Sequence, residues 1–285
     1  MKKHVPYTTP VIMLCPEDTI HDALFLMRKN DIKRIVISND NIPVGIVTER
    51  DIGKFLQNDK TSRTLDKISL NEIMSRNLFT MSQDQDEILV QCAIRMDAFQ
   101  IGSIIIVDDE KLVGIVTKSD LTKHFSNLFA GAYKVKDYMN TKLITCRKSD
   151  SLSFALTMLN KNKIARLVVT DNDGRPVGII SYDTFLKNSE YFKLDKQNTR
   201  DYLLPKISTK ELLVSDLIGN ELLTVASDDD LAKAARLMAK YKISGIPVID
   251  ENGNLEGVIS ATDVIRAYHE VKVHAILQRN DPHFA

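Results

Sequence analysis

GIVTERD, residues 45–51, returns as GIVTKSD at 114–120, GIISYDT at 178–184 and GVISATD at 257–263. The first glycines of successive copies stand 69, 64 and 79 residues apart. Recurrence at this interval marks a duplicated supersecondary unit, each copy too small to bury its apolar face without a neighbour.

Upstream of each copy lies an apolar run, a polar turn and a second apolar run: RIVISNDNIPVGIVT (34–48), SIIIVDDEKLVGIVT (103–117), RLVVTDNDGRPVGIIS (166–181) and GIPVIDENGNLEGVIS (245–260). Two β-rich runs around Asn, Asp and Gly predict a hairpin. Before each hairpin, apolar residues fall at helical spacing behind polar starting residues, as in EDTIHDALFLMRKN (17–30) and DDDLAKAARLMAKY (228–241). Short β stretches such as NLFTM (77–81) and KLITC (142–146) precede those helices, and a further helix follows each motif, as in DIGKFL (51–56) and DVIRAY (263–268). The unit is β-α-β-β-α, in the α/β (α+β) class, with repeats at about 8–57, 70–126, 137–189 and 212–268.

The second strands sort the copies. Copies one and three share KNDIKRIVIS and KNKIARLVVT, aligning Arg34 with Arg166; copies two and four share IGSIIIVD and ISGIPVID. This alternation predicts a module made of two sequence-adjacent repeats, 8–126, duplicated as 137–268. Residues 190–211 read as an insertion that could carry its own helix.

The T-x-x-D core of the motif has two readings. Ser or Thr three residues before an acid is a capping box, worth about 1 kcal/mol. The pairs Thr48 with Asp51, Thr117 with Asp120 and Ser260 with Asp263 fit it. Yet Glu or Gln is the usual third partner, and a short Asp at a strand-to-helix junction also suits a ligand diol beside free amides. Arg34 and Arg166 could add charge-assisted bonds to a phosphate.

The totals exclude several functions. Of 285 residues 44% are apolar, enough for a large core, and 38 basic residues balance 38 acidic ones. Net charge is −2 over residues 1–126 and +2 over the remainder, so neither half carries the basic excess of a nucleic-acid binder. Apolar runs such as GSIIIV (102–107) fall far short of a bilayer span, and the N-terminus does not read as a signal peptide. Cys15, Cys92 and Cys146 form no CxxC pair and read as free thiols of a cytoplasmic protein. His269 and His274 read as surface residues rather than metal ligands, and neither HExxH, a P-loop nor GxSxG occurs. No catalytic residue, metal or required cofactor is expected.

Four β-α-β-β-α units, each closing on G-h-h-T/S-x-x-D or a near variant, resemble cystathionine-beta-synthase (CBS) domains. Four in one chain are similar to the gamma subunit of AMP-activated protein kinase and to stand-alone archaeal and bacterial relatives. The resemblance implies two pseudo-twofold CBS pairs forming a disc, with clefts that take AMP, ADP, ATP or S-adenosylmethionine. It implies ribose contacts for Asp51, Asp120 and Asp263, and ribose or phosphate contacts for Thr48, Thr117 and Ser260. Arg34 and Arg166, with Lys33 beside the first, would approach phosphate. Copy three departs: Ser181 keeps the hydroxyl, Thr184 takes the acid position and Asp183 stands one residue early, about 100° around the helix. The implied function is energy-sensing regulation through an unidentified partner protein, by a monomer or weak homodimer. An unliganded interaction scaffold and an enzyme acting on nucleotides are the alternatives.

Overall fold

A short strand, a crossover helix and a hairpin recur four times, because an amphipathic helix after each first strand returns the chain in parallel register. The computed structural model describes residues 5–59, 61, 63–188, 212–219 and 221–280, with backbone alone at 188 and 271–280. The insertion at 190–211 lies outside the described residues. Repeat one runs β1 (Met13–Leu14), α1 (Ile20–Asn30), β2 (Arg34–Asn39), β3 (Ile42–Thr48) and α2 (Glu49–Asn58). Repeat two runs β4 (Thr80–Ser82), α3 (Ile88–Ala98), β5 (Ser103–Asp108), β6 (Lys111–Thr117) and α4 (Lys118–Leu128). Repeat three runs β7 (Thr145–Arg147), α5 (Leu152–Lys161), β8 (Arg166–Thr170), β9 (Pro176–Ser181) and α6 (Tyr182–Asn188). Repeat four runs β10 (Val225–Ala226), α7 (Leu231–Tyr241), β11 (Gly245–Ile249), β12 (Leu255–Ser260) and α8 (Ala261–Asn280).

Each repeat forms its own three-stranded sheet, the short strand parallel and the hairpin antiparallel to the middle strand. Repeats one and two turn their hairpins on two left-handed residues, Asp40 with Asn41 and Asp109 with Glu110. Such turns match the strand twist. Repeats three and four use longer loops, in which Gly174 and Gly253 take the left-handed position. Asp171 and Asp250 hold these loops by accepting backbone N–H bonds.

The repeats gather into two compact units, each with its own core. The odd unit joins repeats one and three, from Ile12–Leu78 and Ile144–Leu222; the even unit joins two and four, from Met1–Val11, Phe79–Leu143 and Leu223–Ala285. In the odd unit α2 packs on α6, where the Tyr182 ring lies over Gly53: a Cβ there would stand 2.4 Å from the ring. In the even unit α4 packs on α7 and α8, and α3 on α8, around the buried Phe125 and Tyr268. The strand types that alternate in sequence thus sort by unit. Arg34 and Arg166 belong to the odd unit and their counterparts Ser103 and Gly245 to the even one.

Sequence neighbours are joined differently, by exchanged segments. Residues ahead of repeat one bridge to repeat two at Thr8 and Ile115, and residues ahead of repeat two bridge to repeat one at Ser75 and Ile46. Likewise Asn140, ahead of repeat three, bridges to Val258 of repeat four, and Leu213, ahead of repeat four, bridges to Ser151 of repeat three.

These segments explain the motif glycine. A Cβ at Gly45 would meet Met74 Sδ at 2.4 Å, at Gly114 the Tyr7 ring at 2.1 Å, at Gly178 Ile218 Cβ at 3.0 Å, and at Gly257 Met139 Sδ at 2.8 Å. Glycine stands there because side chains of another segment lie over the strand. Met74 can swing its thioether aside, whereas Ile218 is β-branched and stiff. Gly178→Ala should therefore cost about 1–3 kcal/mol, as overpacking does, and Gly45→Ala less. Urea midpoints of the two variants check this order; equal midpoints would mean that Ile218 shifts as freely as Met74.

Candidate functional site

Each motif places its hydroxyl residue as the last of a strand and its acid in the first turn of the following helix. At α2, Thr48 Oγ1 donates to Asp51 Oδ2 at 2.6 Å, the Thr48 N–H donates to the same oxygen at 3.0 Å, and the Asp51 N–H donates back to Thr48 Oγ1 at 3.2 Å. Thr117 and Asp120 repeat this at α4, with the hydroxyl bond at 2.6 Å and the N–H bond to carboxylate at 2.7 Å. Ser260 and Asp263 do so at α8, at 2.6 and 2.9 Å. In copy three Ser181 and Thr184 keep the box with a hydroxyl for the acid: the Ser181 N–H donates to Thr184 Oγ1 at 3.1 Å, and the two hydroxyls lie 3.3 Å apart.

The preference for Asp loses its weight as a ligand signal, because Thr19 and Asp22 build the same box at α1, outside the motif, with bonds of 2.6 and 3.0 Å. Asp reaches the N-cap amide at 3.0 Å both in the motif and outside it. What separates the copies is the second carboxylate oxygen. Asp120 Oδ1 accepts from Thr8 Oγ1 at 3.2 Å, and Asp263 Oδ1 lies 3.3 Å from the Arg266 guanidinium. Among the described residues, Asp51 Oδ1 takes no such partner.

The basic candidates sit beside two of the boxes. Arg34 is the register partner of Thr48, and Arg166 of Ser181. Directly opposed strand residues hold their Cβ atoms about 4.5–5.5 Å apart. The odd unit therefore brings together Arg34, Thr48 and Asp51 at one junction and Arg166, Ser181 and Thr184 at another.

A charged cluster that sequence reasoning missed surrounds Asp183, which turns away from its own box. Its Oδ2 lies 3.0 Å from Lys187 Nζ and 3.7 Å from Lys33 Nζ. Burial, then the Asp183 charge, push the neighbouring Glu49 carboxyl up to about 8. The one-residue displacement of the acid in GIISYDT was its only trace in the sequence.

A CBS-domain family model matches residues 3–58, 70–127, 135–191 and 214–270. The chain belongs to the CBS-domain family. Its CBS repeats are 26% identical over 276 residues to protein MJ1404 of Methanocaldococcus jannaschii, covering 95% of this chain and 62% of that protein's length. Protein MJ1225 of the same organism is 25% identical over 276 residues, covering 90% of this chain and 95% of the relative. The crystal structure of MJ1225, described as a candidate archaeal homologue of g-AMPK, superposes with a TM-score of 0.79 at 24% identity, covering 94% of this chain and all of that one. That likeness concerns the CBS fold.

Outside the motifs of the CBS repeats, one expectation is refined. His269 is more than a bland surface residue: its Nδ1 lies 2.8 Å from Asp97 Oδ2, a hydrogen-bonding contact between α8 and α3. The side chain of His274 lies outside the described residues. No group of three or more metal-ligating side chains occurs among the described residues, and no helix there is long and apolar enough to cross a membrane. All three cysteines are free; burial pushes the thiols of Cys92 and Cys146 up to about 12, leaving Cys15 the exposed one.

Proposed function

We propose that the four CBS repeats form a regulatory module that binds adenosine-containing compounds, with AMP, ADP, ATP and S-adenosylmethionine as candidates, and passes their presence to a partner protein. The observation that carries this reading is the Asp51 junction. One carboxylate oxygen is fixed by Thr48 and the other has no donor among the described residues, across a ladder position from Arg34. A ribose hydroxyl supplies the missing donor and a phosphate suits the guanidinium.

In this reading Thr117 with Asp120 and Ser260 with Asp263 form further ribose-binding positions, while Arg166 and Ser181 form a reduced one. Repeats 8–126 and 137–268 act as the two ligand-binding pairs. The protein works in the cytoplasm as a monomer or weak homodimer and carries out no reaction of its own. The scaffold alternative differs in one respect, that it needs no ligand.

A thermal-shift series separates them. A ligand at about 100 times its dissociation constant adds roughly 2.7 kcal/mol to the folded state, several degrees for a chain of this length. Millimolar AMP, ADP, ATP or S-adenosylmethionine should raise the melting temperature, and GTP or CTP should raise it less. Absence of any adenosine-dependent shift would leave the scaffold reading standing. Release of inorganic phosphate from ATP by the purified chain would favour the enzyme reading.

A further inference from the structure

We propose that Glu49 and Asp183 share one proton where α2 meets α6, and that the contact loosens as rising pH disfavours holding this proton, a pH-sensitive joint between repeats one and three. The inference does not rest on nucleotide binding. Asp183 Oδ1 is buried and has no hydrogen-bond donor among the described residues. The Glu49 carboxyl interacts with the Asp183 side chain at hydrogen-bonding range, so a proton held on Glu49 can supply the missing bond. Two ionised carboxylates in contact would leave Oδ1 unsatisfied and add like-charge repulsion.

The surroundings make the pair sensitive without making it impossible. A cavity of about 160 Å³ adjoins Glu49, walled by Leu24, Met27, Ile32 and Leu186. The end of α1 and the loop after it present Arg28, Asp31 and Lys33; α6 presents Asp183 and Lys187; on its own helix Glu49 is followed by Arg50 and Asp51. Arg28 donates to the Lys187 carbonyl at 3.0 Å, closing the cluster from the α1 side. Lys33 and Lys187 oppose the upward shift of Glu49, which keeps its titration within reach of ordinary pH.

The even unit provides the internal comparison. Glu49 is the first residue of its helix and Asp183 the second; the same helix positions there are Lys118 and Thr262, joined by a bond of 2.8 Å from Lys118 Nζ to Thr262 Oγ1. One joint carries a carboxyl pair and its counterpart an ammonium on a hydroxyl. The displaced acid of copy three thus has a place in the odd unit that an acid at position 184 would not fill.

The sign follows from proton linkage. Glu49 holds a proton in the closed joint that it releases when opened, so stability is full below the ordinary carboxylate range and falls as pH rises toward about 8. The limiting slope is about tenfold in the opening equilibrium per pH unit. Amide hydrogen exchange on the full chain at pH 6, 7 and 8, corrected for intrinsic rates, tests it. Protection in α2 and α6 should fall severalfold per pH unit, up to that limit, while the first turns of α4 and α8 change less than twofold. Glu49→Gln should flatten the α2 and α6 response. Should that variant fail to fold, carbon-13 titration of the glutamate carboxyls in the native chain should show one midpoint near 8, lowered by Asp183→Asn. Glutamate midpoints all in the ordinary range, or pH-independent protection in α2 and α6, would overturn the proposal.

Discussion

Asp51→Ala is expected to weaken adenosine-compound binding ten- to a hundredfold, while Asp22→Ala leaves the affinity unchanged. Both carboxylates cap a helix through the same Thr-x-x-Asp geometry, so each substitution should cost about 1 kcal/mol of stability. Only Asp51 belongs to the repeated motif and keeps an oxygen for a ligand hydroxyl. Loss of hydrogen bonds to a charged acceptor is worth about 1.5–3 kcal/mol, which sets the expected factor. Asp120→Ala and Asp263→Ala should weaken binding less at Asp51's junction and at their own, because Thr8 and Arg266 already engage the second oxygen. Isothermal titration with AMP checks all four variants. Equal, unchanged affinities would return the motif to helix capping alone.

Phe125→Ala should destabilise the chain by about 3–5 kcal/mol, the usual cost of emptying a fully buried aromatic site. Phe125 is wholly buried on α4, with the rings of Phe129, Tyr268 and Tyr133 centred 5.0, 6.2 and 6.3 Å away. Tyr268 comes from repeat four, so the cavity opens in a core that repeats two and four build together. Calorimetry should show a fall on the order of 10 °C in melting temperature. Hydrogen exchange should show α4, α7 and α8 losing protection as a set. Loss confined to α4 would mean that repeat two holds its own core without repeat four.

The repeat and its elements were legible because hairpin letters, helical periodicity and the motif all fell in one register. GIVTERD marked a strand end at Thr48 and a helix over 51–56, which the structure extends to Glu49–Asn58. The capping reading of T-x-x-D was legible too, and Thr19 with Asp22 shows how little an isolated box says about ligands. The role of the motif glycine was hidden: the atoms that forbid a Cβ at Gly178 belong to Ile218, forty residues on, and no local pattern names that partner. The Arg34 and Arg166 alternation was legible and was read as a duplicated pair of sequence-adjacent repeats; the helix packing that groups one with three and two with four was not read from it. That alternation has the same form whether like strands share a core or merely descend from one ancestor. Asp183 was read only as a displaced acid and Glu49 escaped notice, because exposed helix starts favour acids anyway and only burial makes this pair unusual.

The exchanged segments impose an order on synthesis. Repeat two finds its crossing segment, residues 7–9, already made when its strands emerge, whereas repeat one waits for residues 64–76 to leave the ribosome. By residue 128 both sheets of the first half have every strand and crossing segment they need. The apolar faces of α2 and α4, including Ile52 and Phe125, still await α6, α7 and α8. A nascent half-chain therefore has finished sheets and naked helices, the kind of surface that a second nascent copy on the same message, or a chaperone, would cover until the last repeat arrives.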